Sequence, residues 1–335
     1  MTIKDLARLS GYSLGTVSRV LNNQPNVSEK AREAIMAIVN EAGFELNANA
    51  KNLKQQKSTS IAVIIKGRAN ELFGSMVENI QTEMEAHGYP LLLHYLDEDD
   101  NEVRCALQIC KEKKPMGILF LGGVSENFES DFSGIQVPCV LFTNSAANLP
   151  YSNLSSVATD DTEAAHCAVS YLISQGHTGI AVIGGDVEKS EISRLRYEGC
   201  VRAFSEAPEA SMKTYESTRF SFQGGYEAMS RVLDECGKEV TAVFTMADVI
   251  AIGAIRCIHE RGLRVPEDIS VIGFDGLMVG HYYTPKLTTI RQQTGQMVEK
   301  GIRLLMDALE GAAPRHVIVP FALSVFESVQ NIQSV

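Results

Sequence analysis

The stretch TIKDLARLSGYSLGTVSRVLNN (residues 2–23) decides how the chain begins. Thr2, with Asp5 three residues on, is a capping-box pattern in which Asp replaces Glu. Ile3, Leu6, Ala7 and Leu9 then recur at helical spacing. Gly11 supplies a tight turn, and Ser13 caps a second helix over 14–21 with Leu14, Val17, Val20 and Leu21 as its apolar positions. Asn22-Asn23-Gln24-Pro25 breaks the chain. Ser28 caps a third helix, Glu29 to Ala42, with Ala31, Ala34, Ile35, Ile38 and Val39 inward and Gly43 closing it. Two such short helices bury little, so the third must cover them. The arrangement is a helix-turn-helix shape, which lays its second helix in a DNA major groove. The outward groups Thr16, Ser18, Arg19 and Asn22 can reach phosphates or base edges, and Arg19 can fork onto a guanine. A plain three-helix bundle with a solvated polar face has the same pattern.

The remainder is of another kind. A chain of 335 residues exceeds the ~250–300 at which single cores stop growing. No apolar run reaches the ~18–20 residues of a membrane span, and Met1-Thr2-Ile3-Lys4-Asp5 lacks a signal peptide's apolar segment. Seven scattered Cys with no Cys-x-x-Cys pair point to reduced thiols in a cytoplasm, not to a disulfide framework or zinc site. The net charge of −11, taken alone, speaks against nucleic-acid binding. It hides an asymmetry: residues 1–60 hold eight Lys/Arg and five acids, net +3, so residues 61–335 carry −14.

From residue 61 short apolar runs alternate with amphipathic stretches. Strands are expected at Ile61–Ile65, Leu91–Leu93, Gly117–Leu121, Cys139–Phe142, Ile180–Ile183, Ala242–Phe244 and Ser270–Phe274. Helices are expected over 73–87, 101–113, 162–175, 194–206, 224–236, 249–261 and 294–310. This alternation means βαβ units and parallel sheets, here two doubly wound lobes, with ligands beyond the carboxyl ends of the strands. The loops there are glycine-rich, but neither Gly-x-Gly-x-x-Gly nor a P-loop occurs, and Gly184-Gly185 reads as a tight turn. No His-Glu-x-x-His or Gly-x-Ser-x-Gly occurs, the seven His are isolated, and Cys105 and Cys110 do not share a helix face. No catalytic residue, metal or cofactor is expected.

Ile3-Lys4-Asp5-Leu6-Ala7, Gly11-Tyr12-Ser13 and Thr16-Val17-Ser18-Arg19-Val20-Leu21-Asn22 closely resemble the DNA-binding head of the LacI/GalR family of bacterial transcriptional regulators. The likeness continues through Gly176-His177, Arg196-x-x-Gly199, Gly225-Tyr226, Asp248-x-x-Ala251-x-Gly253, Val265–Asp275 and Pro285-x-Leu287-Thr288-Thr289-Ile290, and so covers nearly the whole chain. It implies an all-α helix-turn-helix head (1–45), a hinge helix and linker (46–60), and an α/β effector body (61–335) of periplasmic-binding-protein type. Lobe one would hold about 61–159 and 292–318, lobe two about 160–290 and 319–335. In that family the two residues after Ser13, here Leu14 and Gly15, help choose the operator. Asn47, Ala50, Lys51, Leu53 and Lys54 match the hinge helix, with Leu53 as its minor-groove wedge; Leu46 and Lys51 replace the usual Pro and Arg.

The resemblance also implies an effector pocket with Phe73, Arg196, Phe220, Asp275 and Gln292: an acid and a guanidinium for hydroxyls, and flat rings for a sugar or base face. Asp248 is either a ligand contact or, the favoured reading, the cap of helix 249–261. Ala247 and Thr143 replace the Asn and the acid of many sugar-binding members, while Lys66 and Arg68 add charge. An anionic effector such as a phosphorylated sugar, held by Arg68 and Arg196, is therefore one expectation. The whole implies a cytoplasmic homodimeric repressor on a palindromic operator, controlled by a small metabolite between its lobes. A sugar-binding protein without regulatory role is the alternative, and a sugar- or nucleotide-processing enzyme a third reading.

Overall fold

The computed structural model describes residues 2–21, 27–42, 59–67 and 70–333. Asn22, Gly43, Asn47, Ala50, Lys51, Leu53, Lys54 and Arg68 lie outside the described residues. The chain forms two compact units, divided between Ser58 and Thr59.

The first unit holds three helices: α1 (Ile3–Ser10), α2 (Leu14–Leu21) and α3 (Glu29–Glu41). The Thr2–Asp5 capping box forms in full, and Gly11 takes the left-handed backbone (φ 71°) that ends α1. Ser13 accepts from the Thr16 amide at 3.2 Å, and Ser28 accepts from that of Ala31. Leu6, Val17, Val20, Ile35 and Val39 make the core. The apolar stripe is narrower than the periodicity suggests. Leu9, Leu14 and Ala34 are exposed among the described residues, because three short helices close over one small cluster.

The second unit has two sheets. In chain order it runs β1 (Ile61–Lys66), α4 (Glu71–Ala86), β2 (Leu91–Leu96), α5 (Glu102–Glu112), β3 (Gly117–Leu121), α6 (Ser125–Asp131), β4 (Cys139–Thr143), β5 (Leu154–Thr159), α7 (Asp161–Ser174), β6 (Gly179–Gly184) and α8 (Glu191–Glu206). It continues with β7 (Ser211–Ser217), α9 (Phe222–Cys236), β8 (Ala242–Thr245), α10 (Asp248–Glu260), β9 (Ser270–Asp275), α11 (Met278–Tyr282), β10 (Thr288–Gln292), α12 (Thr294–Leu309), β11 (His316–Val319) and β12 (Phe321–Ser324). The orders are β11-β5-β4-β3-β1-β2 and β12-β10-β9-β8-β6-β7. β1 lies between β2 and β3, and β6 between β7 and β8, so each sheet reverses its winding there. The first sheet is wholly parallel; in the second, β12 runs antiparallel to β10, a departure from the expected all-parallel lobe.

Each sheet is covered on both faces. On the first, Leu119, Val140 and Phe142 pack with α4 and α12, and Phe120 and Leu141 pack with Val103, Phe128 and Phe132. The second has the same construction, α9 and α10 on one face and α7 and α8 on the other. Such burial on both faces is why these strands read as continuous apolar runs. The chain passes between sheets three times, after Thr159, after Gln292 and at Pro320.

Candidate effector pocket and DNA-reading helix

On α2 the outward groups lie where their spacing put them: Arg19 and Gly15 are exposed, and Thr16 and Ser18 half-buried. Leu14 is 46% exposed and free to meet a thymine methyl. A Cβ on Gly15 would meet only Arg19 Nη2 and Ser13 Oγ, each at 3.9 Å, so the glycine leaves open space on this face.

Between the two sheets of the body lies a cavity of about 840 Å³ at the carboxyl ends of their strands, in the upper part of the ~300–1,000 Å³ range of small-molecule sites. Phe73, Thr143, Arg196, Phe220, Asp275 and Gln292 all line it. Glycines set the two rings. A Cβ on Gly122 would sit 3.0 Å from the Phe73 ring, and one on Gly185 would sit 2.7 Å from that of Phe220. The chain bends at Gly185 after β6 without a left-handed φ, so what demands glycine there is the close approach of the Phe220 ring.

Two non-glycine residues with positive φ face this cavity, Thr143 (72°) ending β4 and Asp275 (115°) ending β9. Such conformations cost about 1–3 kcal/mol and persist only where surroundings over-determine them. Gln292 Nε2 donates to Asp275 Oδ1 at 2.8 Å, and the Thr159 hydroxyl donates to Gln292 Oε1 at 2.9 Å. The cavity acid is thereby tied to two of the three crossings. Burial pushes the Asp275 carboxyl up to about 6, against the opposing pull of Arg196.

Arg196 is 4% exposed. Its Nε donates to Asp161 Oδ1 at 2.7 Å, Nη1 donates to the Met246 carbonyl, and its guanidinium lies 3.6 Å from the centroid of the Phe274 ring. The other described bases at the cavity are paired too. Lys66 meets the buried Glu102 at 2.9 Å, Lys189 meets Asp186 at 3.3 Å, and Arg219 meets Asp99 at 2.6 Å. Glu98, Glu126, Glu188 and Asp275 add four more acids to the lining. Basic residue types in the sequence thus do not translate into an electropositive cavity.

Asp248 is not at the cavity, nor does it cap a helix. It is the first residue of α10, the cap position is Ala247, and no side-chain cap bond forms there. Ala247 is buried in the lobe-two core. Asn144 and Asp186, at strand ends where ligands are expected, line the cavity, and so do Arg219 and Glu98, which the sequence does not point to. Arg219 and Glu98 sit in loops that no motif marks.

A helix-turn-helix unit joined to a two-lobed body with a ligand-sized cleft defines a class: DNA-binding regulators built on a periplasmic-binding fold. Comparisons with known proteins agree. Residues 2–47 match the family model of bacterial regulatory proteins, lacI family, and residues 169–329 that of the periplasmic binding protein-like domain. The chain is 34% identical to the HTH-type transcriptional regulator MalR of Clostridium butyricum, over 99% of this chain and 100% of that one. It is 32% identical to the HTH-type transcriptional regulator DegA of Bacillus subtilis, with 99% of each covered. Among solved structures, a complex of the transcriptional regulator CelR with cellobiose superposes with a TM-score of 0.71 at 26% identity, covering 98% of this chain and 99% of that one. The lac repressor dimer on its operator shares the fold, with a TM-score of 0.76 at 24% identity over 98% and 99% of the two chains.

The chain belongs to the lacI family of bacterial regulatory proteins. It is therefore a DNA-binding transcriptional regulator with a ligand-binding effector domain, neither an enzyme nor a free-standing binding protein. No helix among the described residues is long and apolar enough to cross a membrane.

Proposed function

We propose that the protein is a cytoplasmic, dimeric repressor whose operator affinity is set by an uncharged polyhydroxylated metabolite, a sugar of one to a few rings. The pairing of the described cavity bases carries this reading. Each is already bound to an acid of the chain, so a phosphate would meet no unneutralised cation among them and would face four further acids. A neutral polyol meets what it needs: Asp275 and Gln292 for hydroxyls, and Phe73 and Phe220 for ring faces. The cellobiose seated in the CelR relative supports the same class. This replaces the expectation of a phosphorylated sugar on Arg196; Arg68, its other proposed partner, lies outside the described residues.

Closure of the lobes on ligand shifts an existing equilibrium. The route is short, because Asp275 is bonded to Gln292 and Gln292 to Thr159, on two crossings between lobes. A coupling of ~1–3 kcal/mol between effector and operator is typical and reciprocal. Dimerisation is supported by α11, whose Met278 and Tyr282 are 68% and 78% exposed, an apolar pair suited to a second copy. A palindromic operator then matches the two-fold axis. Action on operator DNA supports a cytoplasmic location.

A thermal-shift series with cellobiose, maltose, ribose and glucose 6-phosphate tests the ligand class, paired with gel shifts on the gene's own upstream DNA. We expect stabilisation by at least one neutral sugar, with release or retention of DNA by the same sugar. Response to the phosphate alone overturns the neutral-ligand reading. Equal affinity for upstream and random DNA overturns the operator reading.

A further inference from the structure

The fully buried carboxyl of Asp248 bonds neither the cavity nor its own helix. Its oxygens gather three other segments. Oδ2 accepts from the Leu277 amide at 2.6 Å, and Oδ1 accepts from the Thr289 hydroxyl at 2.6 Å. On the third side is β9 at Gly273, where a Cβ would stand 2.2 Å from Oδ1, so only glycine lets the carboxyl lie this close.

The turn so gripped joins two features of the site. On one side is Asp275, facing the cavity at φ 115°, followed by Gly276 at φ 77°. On the other is α11, two residues further on, which carries the exposed Met278 and Tyr282. Two successive left-handed residues, one of them an aspartate, hold only where neighbours dictate them. Asp248 supplies that constraint from behind, and Gln292 supplies it from the cavity side.

We infer that Asp248 is a positioning residue, which fixes the Asp275–Gly276–Leu277 turn so that the cavity acid and the exposed apolar helix move as one body. The part concerning a second copy on α11 rests on the dimer reading above. Burial pushes the Asp248 carboxyl well above the usual carboxylate range. A neutral acid hydrogen-bonds much as an amide does, so Asn is the conservative replacement: its oxygen can accept from Leu277 while its NH2 meets the Thr289 hydroxyl, which already lies 3.3 Å from the Ile290 carbonyl.

Hydrogen–deuterium exchange on the full chain, free of any ligand, tests this, with sedimentation on the same samples. In Asp248→Ala, amides of residues 275–283 should exchange about tenfold faster or more, while β1 and β3 keep their wild-type rates. Asp248→Asn should restore slow exchange. Asp275→Asn, which leaves the Asp248 bonds in place, should leave α11 protected. If Asp248→Ala does not fold, Thr289→Val removes one of its bonds and should speed the same amides about threefold. Unchanged exchange over 275–283, a uniform rise across the whole body, or an Asn variant no better than Ala overturns the inference. If the wild-type chain sediments as a monomer, the dimer reading fails on its own, and the exchange data still decide the role of Asp248.

Discussion

Replacing Arg196 with Met keeps the volume and removes the charge at the centre of lobe two. Arg196 is 4% exposed and holds Asp161 at 2.7 Å while resting on Phe274. The substitution leaves Asp161 buried without its cation and deprives Asp275 of the one that opposes its burial. Breaking a buried pair from one side costs about 3–5 kcal/mol. For a body of this size each kcal/mol moves the melting temperature by roughly 2 °C, so the expected fall is about 6–10 °C, read by calorimetry at pH 7. The sign of the pH response follows. Both carboxyls are raised in the folded state by burial, and the variant raises them further. A folded pKa above the unfolded one means stability present at low pH and lost as pH rises through it. Relative to wild type, the variant should therefore regain stability as pH falls from 7 toward 5. Asp161→Asn in the same chain removes the stranded charge and should recover most of the loss. A fall under about 2 °C, or no recovery in the double variant, refutes the view of Arg196 as a buried post bound to Asp161.

Other outcomes are as specific. Arg19→Ala should cost about 1–3 kcal/mol on operator and far less on random DNA, in gel shifts at fixed salt; equal losses would remove its base-reading role. Gly185→Ala puts a methyl 2.5 Å from Ser193 Oγ and 2.7 Å from the Phe220 ring. It should cost about 1–3 kcal/mol in stability and weaken sugar binding by calorimetric titration. Sugar hydroxyls that donate to Asp275 favour its carboxylate, whose pKa before binding is about 6. Affinity should therefore rise roughly tenfold from pH 5 to pH 7, and Asp275→Asn should flatten that profile. Leu6→Ala removes a fully buried side chain of the small head core, at about 2–5 kcal/mol. Operator binding should be lost while the body's melting transition stays in place.

Much of this was legible in residue order. Caps at Thr2, Ser13 and Ser28 and the apolar stripe they bracket mark the head, because helix ends and faces are local. The runs at Ile61–Ile65 and Ser270–Phe274 mark central strands, because burial on both faces demands continuous apolar side chains. β5 and β7 escaped notice because neither carries such a run: β7 is a partly exposed edge strand. β5 reads LSSVAT and is wholly buried, its serines spent on neighbouring segments: Ser155 Oγ accepts from the Arg315 amide, and Ser156 Oγ from that of Ala146. Those partners are distant in sequence, so nothing local announces them.

The sequence by itself determined the two-part build, the winding of the body, and the residue types at the strand ends, since these follow from periodicity, turn chemistry and family motifs. What each charge does was decided only in three dimensions. Arg196 reads as an anion hook until Asp161 is found 2.7 Å from it. Asp248 reads as a cap until its oxygens are found on Leu277 and Thr289. A charge is available to a ligand only if no nearer partner neutralises it, and nearness here is set by contacts tens of residues apart along the chain.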